Sequence, residues 1–165
     1  MTTSNNTTKT MTTIEADEHV PMIHIYREFA ATAAQLFRAH TEPELFLRWV
    51  GPADMSTEID YWDARDGGSW RYTSTRGADR TAFRGCFHTV SHDRIVQTFT
   101  WEGMPEAVAL ETLTFDETGQ GRTRLHATSL CDSFQARDAW LASGMETGVE
   151  DGYAQIDRML TDGAL

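Results

Sequence analysis

The segment from Asp132 to the C-terminus carries the strongest helical pattern in this chain. Its apolar side chains recur about every 3.6 residues, and charged side chains occupy the rest of the helical wheel. Ser133 is suited to cap the start of this helix and Gly163 to end it in a left-handed conformation. The spacing therefore predicts one long amphipathic helix, whose apolar positions are Phe134, Leu141, Met145, Val149, Ile156 and Leu160.

Three glycines stand four residues apart in this predicted helix: Gly144, Gly148 and Gly152. Each costs about 1 kcal/mol relative to alanine in a helix interior, so the spacing needs a structural reason. Four residues turn a helix by about 40° beyond a full turn, which places the glycines in one strip. The strip either lets the helix pack closely against a sheet, the commoner use, or leaves room for a ligand between them.

Alternation with a period of two residues dominates the chain from Met55 to Ser129. Clusters such as Asp66-Gly67-Gly68 and Thr118 to Gly121 interrupt the alternation and are typical of turns. This stretch predicts six strands connected as hairpins, with one apolar face.

One strand and two short helices are predicted before the hairpins. Residues 20–29 alternate as a strand does, and Thr32 is a suitable N-cap for a helix over residues 33–40. Thr41 is expected to open the second helix, with Pro43 near its first position, where a missing amide hydrogen costs nothing.

A seven-stranded antiparallel sheet with one apolar face must be covered, and only the last helix is long enough. We therefore predict an α+β fold in which the sheet curls around the C-terminal helix. The two short helices would plug one end and leave a concave space. Residues 1–18 are rich in Thr, Ser and Asn and are predicted to form a disordered tail, which leaves 19–165 as one domain.

The net charge of -11 argues against nucleic acid or an anionic membrane surface as a partner, because both carry phosphate charge. No apolar run is long enough to span a membrane. Cys86 and Cys131 lack a CxxC spacing, which fits reduced thiols and a cytoplasmic location.

Four stretches resemble the START-like (SRPBCC, Bet v 1-like, helix-grip) superfamily. Within it, the chain is similar to the family of the C-terminal domain of the activator of the heat-shock protein 90 ATPase. The stretches are Arg48-Trp49-Val50-Gly51-Pro52, Asp63-Ala64-Arg65-Asp66-Gly67-Gly68, Arg94-Ile95-Val96-Gln97-Thr98-Phe99 and Gly144-Met145-Glu146-Thr147-Gly148. The resemblance implies a fold and a cavity. It does not choose among lipid and hormone binders, polyketide cyclases and aromatases, and co-chaperone domains.

Inward-facing aromatic side chains opposite the glycine strip are the candidate ligand-binding residues. Aromatic residues on an inner sheet face are usually plain core, but the glycines remove volume where side chains would otherwise fill the space. The predicted ligand-binding residues are Trp49, Trp70, Tyr72, Phe83, Phe87, Phe99, Trp101, Glu111, Leu113, Met145, Gly148 and Gly152.

Glu111 is the most informative titratable residue, because alternation places it on the same face as Leu113. A carboxylate in an apolar cavity would have a raised pKa and would serve as a ligand anchor or a general base. The favoured interpretation is that Glu111 reaches water at the open end of its strand. His88 and His126 are predicted to face outward, and His24 and His40 are candidates for the cavity rim.

Phosphate loops, metal-ligand spacings and nucleophile elbows are absent from the sequence, so no catalytic residue, metal or cofactor is predicted. The predicted function is non-enzymatic binding of a hydrophobic or aromatic small molecule between sheet and helix. The alternatives are a polyketide cyclase/aromatase- or hydrolase-like enzyme, with Glu111 or a histidine as base, and a co-chaperone-like protein-binding module. A homodimer is compatible with such a domain, and the ligand is left open.

Overall fold

Eight strands and four helices are described in the computed structural model, which covers residues 11–165. All strands pair antiparallel in one sheet, in the order β1-β2-β8-β7-β6-β5-β4-β3. The strands are β1 (Thr13–Ala16), β2 (Met22–Phe29), β3 (Ser56–Trp62), β4 (Ser69–Arg76), β5 (Asp79–Ser91), β6 (Arg94–Trp101), β7 (Ala109–Gly119) and β8 (Arg122–Leu130). The helices are α1 (Ala33–Thr41), α2 (Pro43–Phe46), α3 (Phe134–Ala142) and α4 (Met145–Thr161).

The sheet has eight strands, one more than the seven that were predicted. Strand β1 lies inside the segment predicted to be a disordered tail and pairs with β2, for example through Ile14 opposite Ile25. Its four residues contain too little alternation to be recognised, because its strand conformation depends on the neighbouring edge of β2. The part of the predicted tail formed by residues 1–10 lies outside the described residues.

The two short helices form where they were predicted, apart from one boundary. Thr32 caps α1 in a capping box with Gln35, since each side chain bonds the other's backbone amide. Thr41 ends α1 instead of opening α2, and its hydroxyl donates to the carbonyl of Phe37 at 2.8 Å. Glu42 precedes Pro43, which occupies the first turn of α2.

The C-terminal helix is broken into α3 and α4, whereas a continuous helix was predicted. Gly144 has φ of 85°, a left-handed conformation that residues with a Cβ avoid. The predicted caps at the outer ends are present: the Ser133 hydroxyl accepts from the Ala136 amide at 3.0 Å, and Gly163 has φ of 69°. The three glycines therefore do not share one helix, because Gly144 lies at the break between α3 and α4.

Helix α4 covers the inner face of the sheet. Tyr153 and Ile156 are buried there together with Phe29 and Leu125, and the rings of Phe29 and Tyr153 meet edge to face at 5.4 Å. Burial of each such side chain contributes about 1.5–3 kcal/mol, so this interface carries much of the core energy. No helix within residues 11–165 has both the length and the apolarity that a membrane crossing requires.

Arg27 is a charged residue within this interface. It lies on the inner face of β2, its side chain is 4% exposed, and its guanidinium donates to the carboxylate of Asp157 on α4. A second nitrogen donates to the Thr12 hydroxyl at 3.1 Å and lies 4.0 Å from Glu150. The pairing ties the β1–β2 edge of the sheet to α4.

Candidate ligand-binding cavity

A cavity of about 600 Å³ separates the inner sheet face from α3 and α4. Strands β4 to β8 provide one wall, and the segment from α2 to Met55 closes one end. The lining is mainly apolar, and its aromatic members are Phe46, Trp49, Trp62, Trp70, Tyr72, Phe83, Phe99, Trp101, Trp140 and Tyr153. Size and lining are those of small-molecule sites in proteins.

The aromatic wall is held in place by ring contacts and by hydrogen bonds. Trp70 and Tyr72 stack with ring centroids 5.6 Å apart, and Phe99 meets Trp140 of α3 edge to face at 5.2 Å. The indole nitrogen of Trp49 donates to the Ala39 carbonyl at 2.7 Å, and that of Trp62 donates to the Thr41 carbonyl at 2.8 Å. These bonds fix the indole rings, so the wall is formed before any ligand arrives.

A shallower, more polar depression of about 780 Å³ adjoins the cavity. The two share Pro52, Met55, Thr81, Ser143 and Gly144 as lining residues, so the depression forms the entrance. The helix break at Gly144 therefore lies at the mouth. Charged residues surround it on the outside: Asp54, Arg76, Asp79, Arg80 and Asp151.

All the predicted ligand-binding residues line this cavity except Phe87 and Gly152. Phe87 is buried behind the wall, with its ring centroid 5.9 Å from that of Trp62. Trp101 lines the cavity but is 41% exposed, because it lies at the end of β6, where its ring packs on Gly103. Alternation predicted which face of the sheet these side chains occupy, but not how deeply each one is buried.

The three glycines of the strip have three different surroundings. Gly144 forms the helix break. A Cβ on Gly148 would make an ordinary 3.6 Å contact with Pro52, and this glycine lines the cavity. A Cβ on Gly152 would lie 2.8 Å from the carbonyl oxygen of Trp49, so this position requires close backbone approach. The close-packing interpretation therefore holds for Gly152, although its neighbour is the segment after α2 and not the sheet.

Glu111 faces the cavity from the middle of the sheet, paired in register between Gln97 on β6 and Ser129 on β8. Its carboxylate accepts from Gln97 Nε2 at 2.9 Å and from the Ser129 hydroxyl at 3.1 Å. Burial raises the pKa of Glu111, and the two hydrogen bonds oppose this rise. Glu111 is half-buried near the start of β7, so it faces the cavity as alternation predicts and keeps part of its surface accessible to solvent.

Three further titratable groups line the cavity. Burial lowers the pKa of His40 to about 4, so its ring is neutral at pH 7, with Nδ1 2.7 Å from the Leu36 carbonyl. Burial and the charge of Glu111 raise the pKa values of Tyr72 and Tyr153. Tyr153 was not predicted, although it follows the apolar Val149 by one helical turn.

The other rim candidate, His24, lies away from the cavity, as do His88 and His126, which were predicted to face outward. His24 and His126 stack on the outer face of the sheet, with Nδ1 of the first 3.1 Å from Nε2 of the second. His88 faces outward and is exposed, as predicted. Within residues 11–165, no three His, Cys, Asp or Glu side chains are grouped to hold a metal ion.

A curled antiparallel sheet that grips a C-terminal helix across a cavity defines the helix-grip class of domains. Protein Ms6760 from Mycobacterium smegmatis has this fold: it is 23% identical to the chain, superposes with a TM-score of 0.81, and the match covers 91% of this chain and 97% of that one. A Rhodobacter sphaeroides protein matches at 25% identity and a TM-score of 0.81, over 92% and 99% of the two chains. An Arthrobacter aurescens protein matches at 22% identity and a TM-score of 0.82, over 91% of each chain.

The family follows from the sequence itself. Residues 30–161 match the model of the family described as Activator of Hsp90 ATPase homolog 1-like protein. The chain belongs to this family, and the resemblance drawn from the four sequence stretches is confirmed. The comparison with curated proteins found no match.

Proposed function

We propose that this protein binds a hydrophobic or aromatic small molecule in the cavity between sheet and C-terminal helices, without transforming it. The observation that carries the proposal is the cavity of about 600 Å³ with an aromatic wall and an entrance at the helix break. Membership of the Activator of Hsp90 ATPase homolog 1-like family is consistent with a ligand-binding fold.

The volume favours a bound molecule over an imperfectly packed core. Protein interiors are packed as densely as organic crystals, and each large void forfeits contacts that would stabilise the fold. An apolar wall also gives water few hydrogen-bond partners. A ligand with one or two aromatic rings would restore both the contacts and the buried apolar area.

Native mass spectrometry of the purified protein, before and after organic extraction, tests the proposal first. A reproducible extractable mass is the expected result. Titration with the neutral fluorescent probe N-phenyl-1-naphthylamine then measures the cavity directly. Gly148→Leu should fill the space and abolish probe binding, whereas Gly148→Ala should retain it, because a Cβ at this position makes only ordinary contacts. Failure of the folded wild type to bind both an extractable molecule and the probe would reject the proposal.

One observation favours a second function, proton abstraction from a polyketide-like substrate. Glu111 faces the cavity with a raised pKa, as a general base acting near neutral pH requires. Turnover of such a substrate should then depend on pH and be lost in Glu111→Gln. Turnover that survives this substitution would remove Glu111 from the mechanism.

A further inference from the structure

We propose that the ligand of this cavity is an organic amine, whose ammonium group binds the Glu111 carboxylate while its apolar part lies against the aromatic wall. This inference rests on the proposed binding function and specifies the chemical class of the ligand. It follows from the charges in the cavity, the geometry of the carboxylate and the nature of the wall.

The charge inventory of the cavity lining is one-sided. Among the described residues that line it, Glu111 is the only acidic side chain, and neither lysine nor arginine is present. His40 is neutral there because its pKa is about 4. Arg27 also lies on the inner face of the sheet, but it is paired with Asp157 and does not line the cavity. An anionic ligand would therefore meet a carboxylate without any compensating cation.

The geometry of Glu111 leaves room for a ligand donor. Ser129 donates to Oε1 and Gln97 to Oε2, so each carboxylate oxygen is engaged once. A carboxylate offers about four acceptor positions, so both oxygens keep a free lone pair. The two protein donors also fix the orientation of the group. A half-buried carboxylate held in this way binds an ammonium ion more strongly than a neutral donor, because both partners of the hydrogen bond are charged.

The aromatic wall also suits a cation. Phe99 lies two residues beyond Gln97 on β6, so the two side chains project to the same face of the sheet. Phe99 therefore lies next to Glu111, which is paired with Gln97. The Glu111 charge reaches Tyr72 and Tyr153, since it contributes to the raised pKa of both phenols. Faces of aromatic rings attract cations, and the attraction grows when water is excluded. A carboxylate among aromatic rings thus recognises an amine at one end and an apolar group at the other.

The overall charge of the protein favours the same ligand class. The chain has 25 acidic and 14 basic residues, giving the net charge of -11 that draws cations toward its surface. This field is screened by salt, whereas the contact with Glu111 inside the cavity is screened much less. A higher salt concentration should therefore slow association of the amine, but the cavity should still bind the amine more tightly than an uncharged ligand.

The test uses three ligands that share one ring system and differ in charge: 2-naphthylmethylamine, 2-naphthalenemethanol and 2-naphthoate. Each is titrated against the full-length protein loaded with N-phenyl-1-naphthylamine, and displacement gives its affinity. We expect the amine to bind about tenfold more tightly than the alcohol, and the carboxylate more weakly than both, from the usual strength of charge-assisted hydrogen bonds. Glu111→Gln should remove the advantage of the amine over the alcohol, whereas Glu106→Gln, at an exposed position, should leave that advantage intact.

A second measurement needs no variant. Affinity of the wild type for the amine should fall as the pH decreases and Glu111 takes up a proton, whereas affinity for the alcohol should change much less. Equal binding of all three ligands at pH 7.5 would overturn the amine proposal and leave the binding function intact. A lack of binding of both the neutral probe and the alcohol would instead overturn the binding function itself.

Discussion

The α-carbon of Gly152 packs against the backbone of Trp49, so closely that a Cβ on this glycine would lie 2.8 Å from the Trp49 carbonyl oxygen. Four residues earlier on the same helix, a Cβ on Gly148 would make only an ordinary contact with Pro52. The two positions therefore differ in what they tolerate, although both are helical glycines.

We predict that Gly152→Ala and Gly148→Ala change stability in opposite directions. Gly148→Ala should raise the free energy of unfolding by up to about 1 kcal/mol, because alanine is the better helix former. Gly152→Ala should lower it by about 1–3 kcal/mol, because the contact is with backbone, which cannot rotate away. Urea denaturation of both variants measures the difference, and equal effects would contradict the packing described for Gly152.

The buried His40 should make stability depend on pH. The pKa of His40 is about 4 in the folded protein against the ordinary histidine value of 6.5, so only the unfolded chain takes up this proton between those values. The contribution of neutral His40 to the free energy of unfolding is fully present above pH 6.5. It decreases as the pH is lowered, by up to about 3 kcal/mol at pH 4. The difference in free energy of unfolding between wild type and His40→Gln should shrink correspondingly on acidification. A difference that does not vary with pH would refute this, and His88→Gln on the exposed face is the control.

Glu111 should have the opposite pH dependence. Its folded pKa is raised, so the folded protein holds this proton to higher pH than the unfolded chain does. The stability it contributes is present below the unfolded pKa and is lost as the pH rises through the folded pKa. Glu111→Gln keeps partners for Gln97 and Ser129 but cannot ionise, so it should gain stability relative to wild type as the pH rises from 4 to 8. Unfolding curves at several pH values measure this gain, with Glu106→Gln expected to show none.

The pair between Arg27 and Asp157 should matter more than the surface ion pairs. Asp157→Ala would leave a nearly buried guanidinium whose Nε already lacks a hydrogen-bond partner among the described residues. We expect a loss of about 2 kcal/mol, below the full value for buried pairs because Asp157 is itself half-exposed. Adding Arg27→Met should recover much of this loss in a double-mutant cycle.

A surface pair provides the control for that cycle. Asp63 and Arg65, beside the β3–β4 turn, form an ion pair at 2.8 Å, and both side chains are about half-exposed or more. Asp63→Ala should therefore change stability much less than Asp157→Ala. If Asp63→Ala and Asp157→Ala lowered the free energy of unfolding equally, the burial of Arg27 would not determine how much its ion pair stabilises the protein.

Most of the fold was predictable because period-two alternation and helix caps are local signals. The caps at Thr32 and Ser133 form as their sequences indicate. Strand β1 was missed because its pairing with β2 is a tertiary interaction that four residues cannot encode. The break at Gly144 was missed because glycine can adopt either a helical or a left-handed conformation, and the sequence pattern does not show which one it takes.

The cavity was predictable in composition but not in depth. Alternation placed Trp70, Phe83 and Glu111 inward, yet it does not state how far the sheet curls. Burial of Glu111 depends on the flanking strands, which bring Gln97 and Ser129 beside it. The contribution of Tyr153 depends on how α4 packs against the sheet after the break. These are consequences of three-dimensional closure, and local sequence patterns do not contain them.

The break at Gly144 also separates two helices that differ in burial. None of the side chains of α3, all of which the structure describes, is fully buried, whereas α4 buries Tyr153, Ile156 and Met159. The free energy of local opening should therefore be much lower for α3 than for α4, and its amide hydrogens should exchange with solvent first. If α3 opens about Gly144 while α4 keeps the core closed, the proposed ligand would exchange without unfolding of the domain.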